Sequence, residues 1–384
     1  MSGQKAYDVA VVGAGVFGAW TAWHLAKRGK KVVLVDAYGP ANARASSGGE
    51  SRIIRMGYGA DELYTLWSQN SLVQWKKMFA ATQPPLFVET GVLWLGGDDD
   101  AQLRRTAIVL RRCNVPFEEF DREALEKKYP QVSFEDVKTG ILETSSGVLM
   151  ARRAVTAVVE SAVRLGVEYR CAQILKPAGS GRQEAVATGS GERILAGEFV
   201  FACGAWLGTV FPEVLGSRIF PSRQEVFFFG IPAGDTRFAP PSLPTWLFQE
   251  DLFYGMPDLE SRGLKIASDR HGMTVDPDTE SRIISPVMRE KARAYVAQRF
   301  PALKDAPIVE TRVCQYENTS SGDFLIDRHP GMENVWFAGG GSGHGFKHGP
   351  AVGEYVTGRL LDRLQPEPRF SLATKDTIQN RAVY

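Results

Sequence analysis

The chain is poor in cysteine, has no long apolar run and carries no excess of either charge. Cys113, Cys171, Cys203 and Cys314 are the only cysteines among 384 residues, and no C-x-x-C pair occurs. Zinc and dithiol redox motifs are therefore unsupported, and no metal site is expected. No apolar stretch reaches the ~18 residues of a membrane-spanning helix. Forty-five basic residues balance 44 acidic ones, a formal net charge of +1. That balance argues against nucleic acid or a membrane surface as the main partner. Only six residues precede the strand-like run from Tyr7, too few for a secretion signal. The closing RAVY matches no targeting tag. A cytoplasmic location is the expectation, and disulfides are not expected in that reducing compartment.

Hydrophobic residues make up 44% of the chain, so a large core can form, and the length suits about two or three domains. Residues 8–18 read DVAVVGAGVFG, and Asp36 ends the next apolar run, KVVLVD. Gly13, Gly15 and Gly18 fit G-x-G-x-x-G between a strand and a helix predicted over Val16–Arg28, with Gly29 as its stop. Gly13 permits a tight turn, Gly15 lets a pyrophosphate approach the backbone, and Gly18 lets helix pack on strand. The helix start offers free N–H groups and positive dipole to phosphates, and Asp36 can accept from ribose hydroxyls. This fingerprint by itself fits NAD, NADP or FAD.

Residues 46–59 read as a polar, glycine-rich loop that enters an ordered RIIR segment. Helices are expected over 61–80, 101–113, 152–165 and 287–299. Residues 85–97 alternate like a strand pair turning at Gly91, and short strands follow the 152–165 helix through 202. Residues 220–310 are rich in Phe, Pro and turn pairs and read as strand and loop. A second glycine cluster, AGGGSGHGFKHGP (338–350), joins the strand 335–338 to a helix predicted from about Pro350 to Leu364. It does not repeat the first fingerprint, so a second dinucleotide is unsupported. Taken alone, it is either an anion-binding helix entrance or a flexible turn.

The segment VCQYENTSSGDFLIDRHPGMENVWFAGGGSGHGFKHGPAVGE resembles the C-terminal part of the monomeric sarcosine oxidase family. That family includes N-methyltryptophan oxidase and pipecolate oxidase, among the D-amino-acid-oxidase-like flavoproteins. The resemblance runs nearly end to end, through SSGGESRIIR, SSGVLM, GAW, PSRQ, FYG and GLK. It implies an α/β fold: a Rossmann-like FAD-binding domain with an inserted mixed-sheet substrate domain of α+β type. The expected division places 1–84, 146–217 and 311–384 in the FAD-binding domain. Residues 85–145 and 218–310 then form the substrate domain. The implied activity is oxidation of a secondary amino acid to an imine, with oxygen reduced to hydrogen peroxide, by a monomer.

By the same resemblance Cys314 holds the flavin covalently through its 8α position; the alternative is a small structural core cysteine. Cofactor contacts are implied for Gly13, Ala14, Gly15, Val16, Phe17, Gly18 and Asp36, then Ser46, Ser47 and Arg52, then Cys203, Gly204 and Trp206. The far end adds Gly341, Gly343, His344, Gly345, Phe346 and Lys347, whose helix entrance suits a reduced, anionic flavin. His344 can alternatively bond only backbone. Arg52 is implied to lie over the flavin ring, and Arg55 with Lys347 to grip the substrate carboxylate. Without the resemblance, two nearby arginines are ordinary surface charge. Lys265, flanked by apolar residues, is implied to promote the reaction with oxygen; the alternative is an edge lysine facing water. Tyr254 is implied at both the catalytic and the substrate side.

Two departures stand out. Ser47 and Gly48 occupy the loop where sarcosine-type members carry histidines. Asp269 stands where they carry a histidine four residues beyond the lysine, with His271 two further on. These changes imply a larger or more polar amine than sarcosine. A dehydrogenase using another acceptor, a biosynthetic imino-acid oxidase and an inert flavin-bearing protein are the competing readings.

Overall fold

The computed structural model describes residues 6–80, 82–97, 100–270 and 272–381. Its first sheet grows from the strand Tyr7–Val12, which pairs in parallel with Val32–Asp36 on one side and Arg193–Phe201 on the other. Val335–Gly339 and Glu168–Cys171 extend the parallel arrangement outward, and Leu325–Arg328 adds an antiparallel edge. Alternate side chains serve two cores. Val9, Val11, Val32 and Leu34 pack beneath helices, while Ala10, Val12, Val33 and Val35 face the opposite layer. Burial on both faces explains why these strands read as continuous apolar runs. The helix Val16–Lys27 follows the first strand, and Gly29 just beyond it has φ +74°, as a helix stop requires. Helices Ala151–Arg164 and Gly349–Leu361 pack on it.

The second sheet has eight strands. Its order is Ile308–Asn318, Phe220–Phe229, Leu264–Ser268, Phe253–Met256, Thr245–Phe248, Val92–Gly96, Thr139–Glu143 and Phe117–Asp121. Phe227, Phe229 and Ile266 on one face bury against Val296 and Phe300, at the end of the helix Pro286–Arg299. A small third sheet joins Arg52–Ile54, Gly147–Leu149 and Phe87–Val88.

Several expectations are corrected. Phe87–Val88 and Val92–Gly96 are both strands, but they belong to different sheets and do not pair. Gly91 redirects the chain rather than closing a hairpin. The strand Arg193–Phe201 is nine residues long, not a short one. The last helix ends at Leu361, three residues early. The boundary expected at 311 falls inside the strand Ile308–Asn318, so Cys314 sits on the edge strand of the second sheet. No described helix is long and apolar enough to cross a membrane. His271 and the last three residues of RAVY lie outside the described residues.

Candidate active site

A cavity of about 220 Å³ opens where the first sheet's strands end against the edge strand Ile308–Asn318. Gly13, Gly15, Val16, Phe17 and Asp36 line it from the opening strand–helix–strand unit. Ser46 and Ser47 come from the following loop, Arg52 from the start of the strand Arg52–Ile54, and Cys203, Gly204 and Trp206 from the turn after Phe201. Cys314 with Gly341, Gly343, Gly345 and Phe346 closes the far side. Of the residues expected here, Ala14, Gly18, His344 and Lys347 do not line the cavity.

The fingerprint glycines are set by close approach. A Cβ on Gly13 (φ +105°) would lie 2.2 Å from the Ala202 carbonyl oxygen, and one on Gly18 would lie 1.8 Å from the Gly13 oxygen. No side chain fits either position. Asp36 accepts from the N–H groups of Ala14 (2.8 Å), Tyr38 (2.9 Å) and Gly39 (3.0 Å), which fixes its carboxylate at the cavity edge. One expectation changes here. The Val16 N–H does not point free at the helix start; it donates to Ser47 Oγ at 3.1 Å.

At the other end, Arg52 Nη2 donates to Cys314 Sγ at 3.1 Å and to the Ser46 carbonyl at 2.7 Å. Lys265 is 3% exposed, on an interior strand, and Nζ donates to the carbonyl (2.8 Å) and hydroxyl (3.0 Å) of Ser51. Burial, and after it the charge of Arg52, holds this lysine well below the usual lysine range. It is thus no edge lysine facing water. Tyr254, on the adjoining strand, bonds Tyr316, and burial pushes its hydroxyl up to about 12. Tyr316 OH donates to Asp269 Oδ1 at 3.2 Å.

A buried polar corner lies beside this wall. The Arg55 guanidinium is clamped between the rings of Tyr58 (4.4 Å) and Trp94 (4.6 Å) and donates to the Gly57 carbonyl. Lys347 Nζ donates to Tyr58 OH (2.8 Å) and to the His344 carbonyl (3.0 Å). Tyr58 OH also meets His344 Nδ1 at 3.0 Å and His348 Nε2 at 2.8 Å, while His344 Nε2 meets the Gly322 carbonyl at 3.0 Å. One proton assignment satisfies all of them. His344 donates from Nε2 to Gly322 and accepts at Nδ1 from Tyr58, whose oxygen accepts from Lys347 and His348. Both histidines are then neutral, consistent with burial and the Lys347 charge holding them well below the histidine range. Arg55 and Lys347 are 7% and 3% exposed, and among the described residues neither has an acidic group within ion-pair distance. Two buried basic groups with no acid at ion-pair distance are costly to hold charged together unless an anion arrives.

The sequence matches the family of FAD dependent oxidoreductases over residues 8–359. The chain belongs to that family. N-methyl-L-tryptophan oxidase of Salmonella arizonae is 29% identical over 374 residues, covering 95% of this chain and 97% of that protein. Monomeric sarcosine oxidase of a Bacillus species is 29% identical over 364 residues, 91% of each chain. Among solved structures, L-proline dehydrogenase from P. horikoshii superposes with a TM-score of 0.81 at 22% identity, over 96% of this chain and 97% of that one. That likeness concerns the fold.

The cavity fits the FAD of this oxidoreductase family. Among the described residues Ser46 Oγ and Glu317 Oε1 are buried in its wall without a partner, and the glycines of both loops leave space that any Cβ would reduce. Hydroxyl and carboxyl groups of this kind suit a polyhydroxylated chain. Sequence reading missed Tyr58, Glu143, Glu317 and His348. Glu143 is fully buried and accepts from Met56 N (2.7 Å), Gly57 N (2.8 Å), Trp94 Nε1 (2.6 Å) and Ser146 Oγ. It therefore holds the turn that presents Arg55. Its only sequence signal is an acid next to the apolar pair Ile141–Leu142.

Proposed function

We propose that the protein oxidises a secondary amino acid, N-alkyl or cyclic, and uses oxygen as the acceptor. The observation that carries this reading is the pair of buried basic groups, Arg55 and Lys347, flanking Tyr58, with no acidic group at ion-pair distance among the described residues. A substrate carboxylate supplies the missing charge: the guanidinium fork accommodates both oxygens, and the ammonium adds a point charge. Docking a carboxylate there also favours the protonated form of Lys347, which burial and the charge of Arg55 otherwise disfavour. Bound FAD supplies the two-electron oxidation of the amine's α C–H to an imine, and its return with oxygen yields hydrogen peroxide. Water then hydrolyses the imine. Arg52 and Tyr254 form the wall against which the amine is oriented. Lys265, held by Ser51 and shielded from water, sets a fixed positive field for reduced oxygen when protonated. Cys314, with its sulfur against Arg52, would be the residue to hold the flavin covalently, as a thioether at its 8α carbon; forming that bond from a thiol and a methyl group would release two electrons and two protons to oxygen.

Anaerobic mixing of the yellow holoenzyme with a panel of N-methyl and cyclic amino acids tests the activity. Bleaching with carboxylate-bearing secondary amines, followed by peroxide when air is admitted, is expected. A flavin that stays oxidised with every member of the panel refutes the reading. Acid precipitation tests the link separately: a yellow pellet that turns colourless in Cys314→Ala supports it, and free flavin from the unaltered protein refutes it.

A further inference from the structure

Lys347 is held by a pair of hydrogen bonds. Its Nζ donates to Tyr58 OH at 2.8 Å and to the His344 carbonyl at 3.0 Å, with no third hydrogen-bond partner among the described residues. An ammonium carries three N–H donors; a neutral amine carries two and a lone pair. The neutral form therefore meets both partners and keeps its lone pair, whereas the ammonium would leave one buried donor unpaired. Lys347 is 3% exposed, and the Arg55 guanidinium stacks on the same Tyr58 ring at 4.4 Å, so a charged lysine would add a second buried cation beside a permanent one.

The other groups around the corner are already committed. His344 uses both ring nitrogens, one on Tyr58 OH and one on the Gly322 carbonyl. His348 meets Tyr58 OH through Nε2; its Nδ1, unpartnered among the described residues, lies on the other side of the ring. Glu143 receives four donors. Asp269 and Arg381 pair with each other and act on Lys347 from farther away, in opposite directions. Burial first, and then the charge of Arg55, hold Lys347 well below the lysine range, which agrees with the hydrogen-bond count.

A secondary amino acid arrives as a zwitterion, but only its neutral amine can give up two electrons. One proton must leave the nitrogen before oxidation. We propose that Lys347 is the catalytic base that takes it: the neutral ε-amine accepts the ammonium proton of the substrate as the carboxylate docks. A substrate N–H bond breaks, an Nζ–H bond forms, and the summed charge of corner and substrate is unchanged. The outcome is a free amine beside an ammonium–carboxylate pair, so the step that activates the nitrogen also tightens the anchor. The α-nitrogen is two bonds from the carboxylate carbon, which keeps its proton within reach of the group that grips the carboxylate, directly or through one water. The proposal rests on the reading of Arg55 and Lys347 as the carboxylate anchor.

Counting protons without turnover separates the base from that reading. Holoenzyme in weak buffer at about pH 9, below the ordinary lysine value of 10.5, is mixed with pivalate or with 2-aminoisobutyrate. The second probe has an ammonium in place of one methyl and no α C–H to oxidise. An indicator dye reads the protons, and flavin absorption reads the binding. Pivalate should draw about one proton per bound molecule from solvent, and 2-aminoisobutyrate about none, because it brings its own. No uptake with either means that Lys347 is already charged, and equal uptake with both means that the ammonium keeps its proton; either result overturns the proposal. Binding of neither probe refutes the anchor and the proposal with it. Lys347→Arg keeps a cation but cannot accept a proton. It should abolish the uptake, and flavin bleaching by a secondary amino acid should then rise about tenfold per pH unit as bulk solvent supplies the free amine. Lys347→Met should show the same slope with weaker pivalate binding. A slope no steeper than that of the unaltered protein in both variants assigns Lys347 to anchoring alone. Unequal proton counts with no bleaching by any amine support the base and refute the oxidase; bleaching with equal counts does the reverse.

Discussion

Two regions of the site are each anchored on a buried glutamate, and the two carboxyls differ in kind. Glu143 holds the 55–58 turn at the substrate corner and receives four donors, two of them backbone N–H groups. Glu317 holds the 339–341 turn at the cofactor cavity, receives the N–H groups of Gly340 and Gly341, and among the described residues keeps Oε1 without a partner. Burial pushes Glu317 up to about 7. The contrast shows how one residue type serves two ends. A carboxylate saturated with donors is a rigid scaffold. A half-satisfied one that faces a cavity retains a proton and a free oxygen for whatever enters.

The strongest test of this contrast removes the saturated member. Glu143→Ala strips four buried donors of their acceptor and leaves Arg55 without the turn that presents it. The expected loss is about 3–5 kcal/mol of unfolding free energy, because unpaired buried groups cost their full desolvation. Urea unfolding measures it. A loss below 1 kcal/mol, in the range of an ordinary surface substitution, breaks the scaffold assignment. In protein that folds, weaker binding of carboxylates should accompany the loss.

The comparison also explains what was legible in the sequence. The region of Gly13, Gly18 and Asp36 is built from contiguous residues whose spacing states its geometry. Hence a strand, a turn and a helix were read almost to the residue. The 338–350 cluster was readable for the same reason. The Arg55–Lys347 corner is drawn from residues 55–58, 94, 143 and 344–348, brought together only by sheet pairing and helix packing. Glu143 reads as a surface acid because nothing local reveals that Met56 and Gly57 lie across from it. Glu317 alternates with Tyr316 on an edge strand, and only the register with Phe220–Phe229 shows that both line a cavity. The 85–97 error has the same origin: local alternation reports strands correctly but not their partners.

The unsaturated glutamate should reveal itself through pH. Between its ordinary value of 4.5 and about 7, the folded protein holds a proton on Glu317 that the unfolded chain has released. Stability therefore falls as pH rises through that window, by on the order of 3 kcal/mol in total. Glu317→Gln is permanently neutral, so it should match the unaltered protein near pH 4.5 and exceed it at pH 8. Urea midpoints at the two pH values decide. A variant with the same pH slope as the parent assigns that slope to other groups and removes the contrast with Glu143.

The smallest effect comes from trimming one donor from the saturated carboxylate. Trp94→Phe keeps an aromatic ring against the Arg55 guanidinium but deletes the Nε1–H that meets Glu143 at 2.6 Å. Three donors remain, and Met56 N and Gly57 N still fix the turn. The expected cost is about 1.5–3 kcal/mol in unfolding free energy, the value of one hydrogen bond to a charged group. The carboxylate affinity at Arg55 should change by less than about threefold, since the stacking face is retained. If affinity falls by orders of magnitude while stability holds, Trp94 acts on Arg55 directly rather than through Glu143. The scaffold would then be the aromatic clamp, and the four-donor carboxylate would be only a support for the ring.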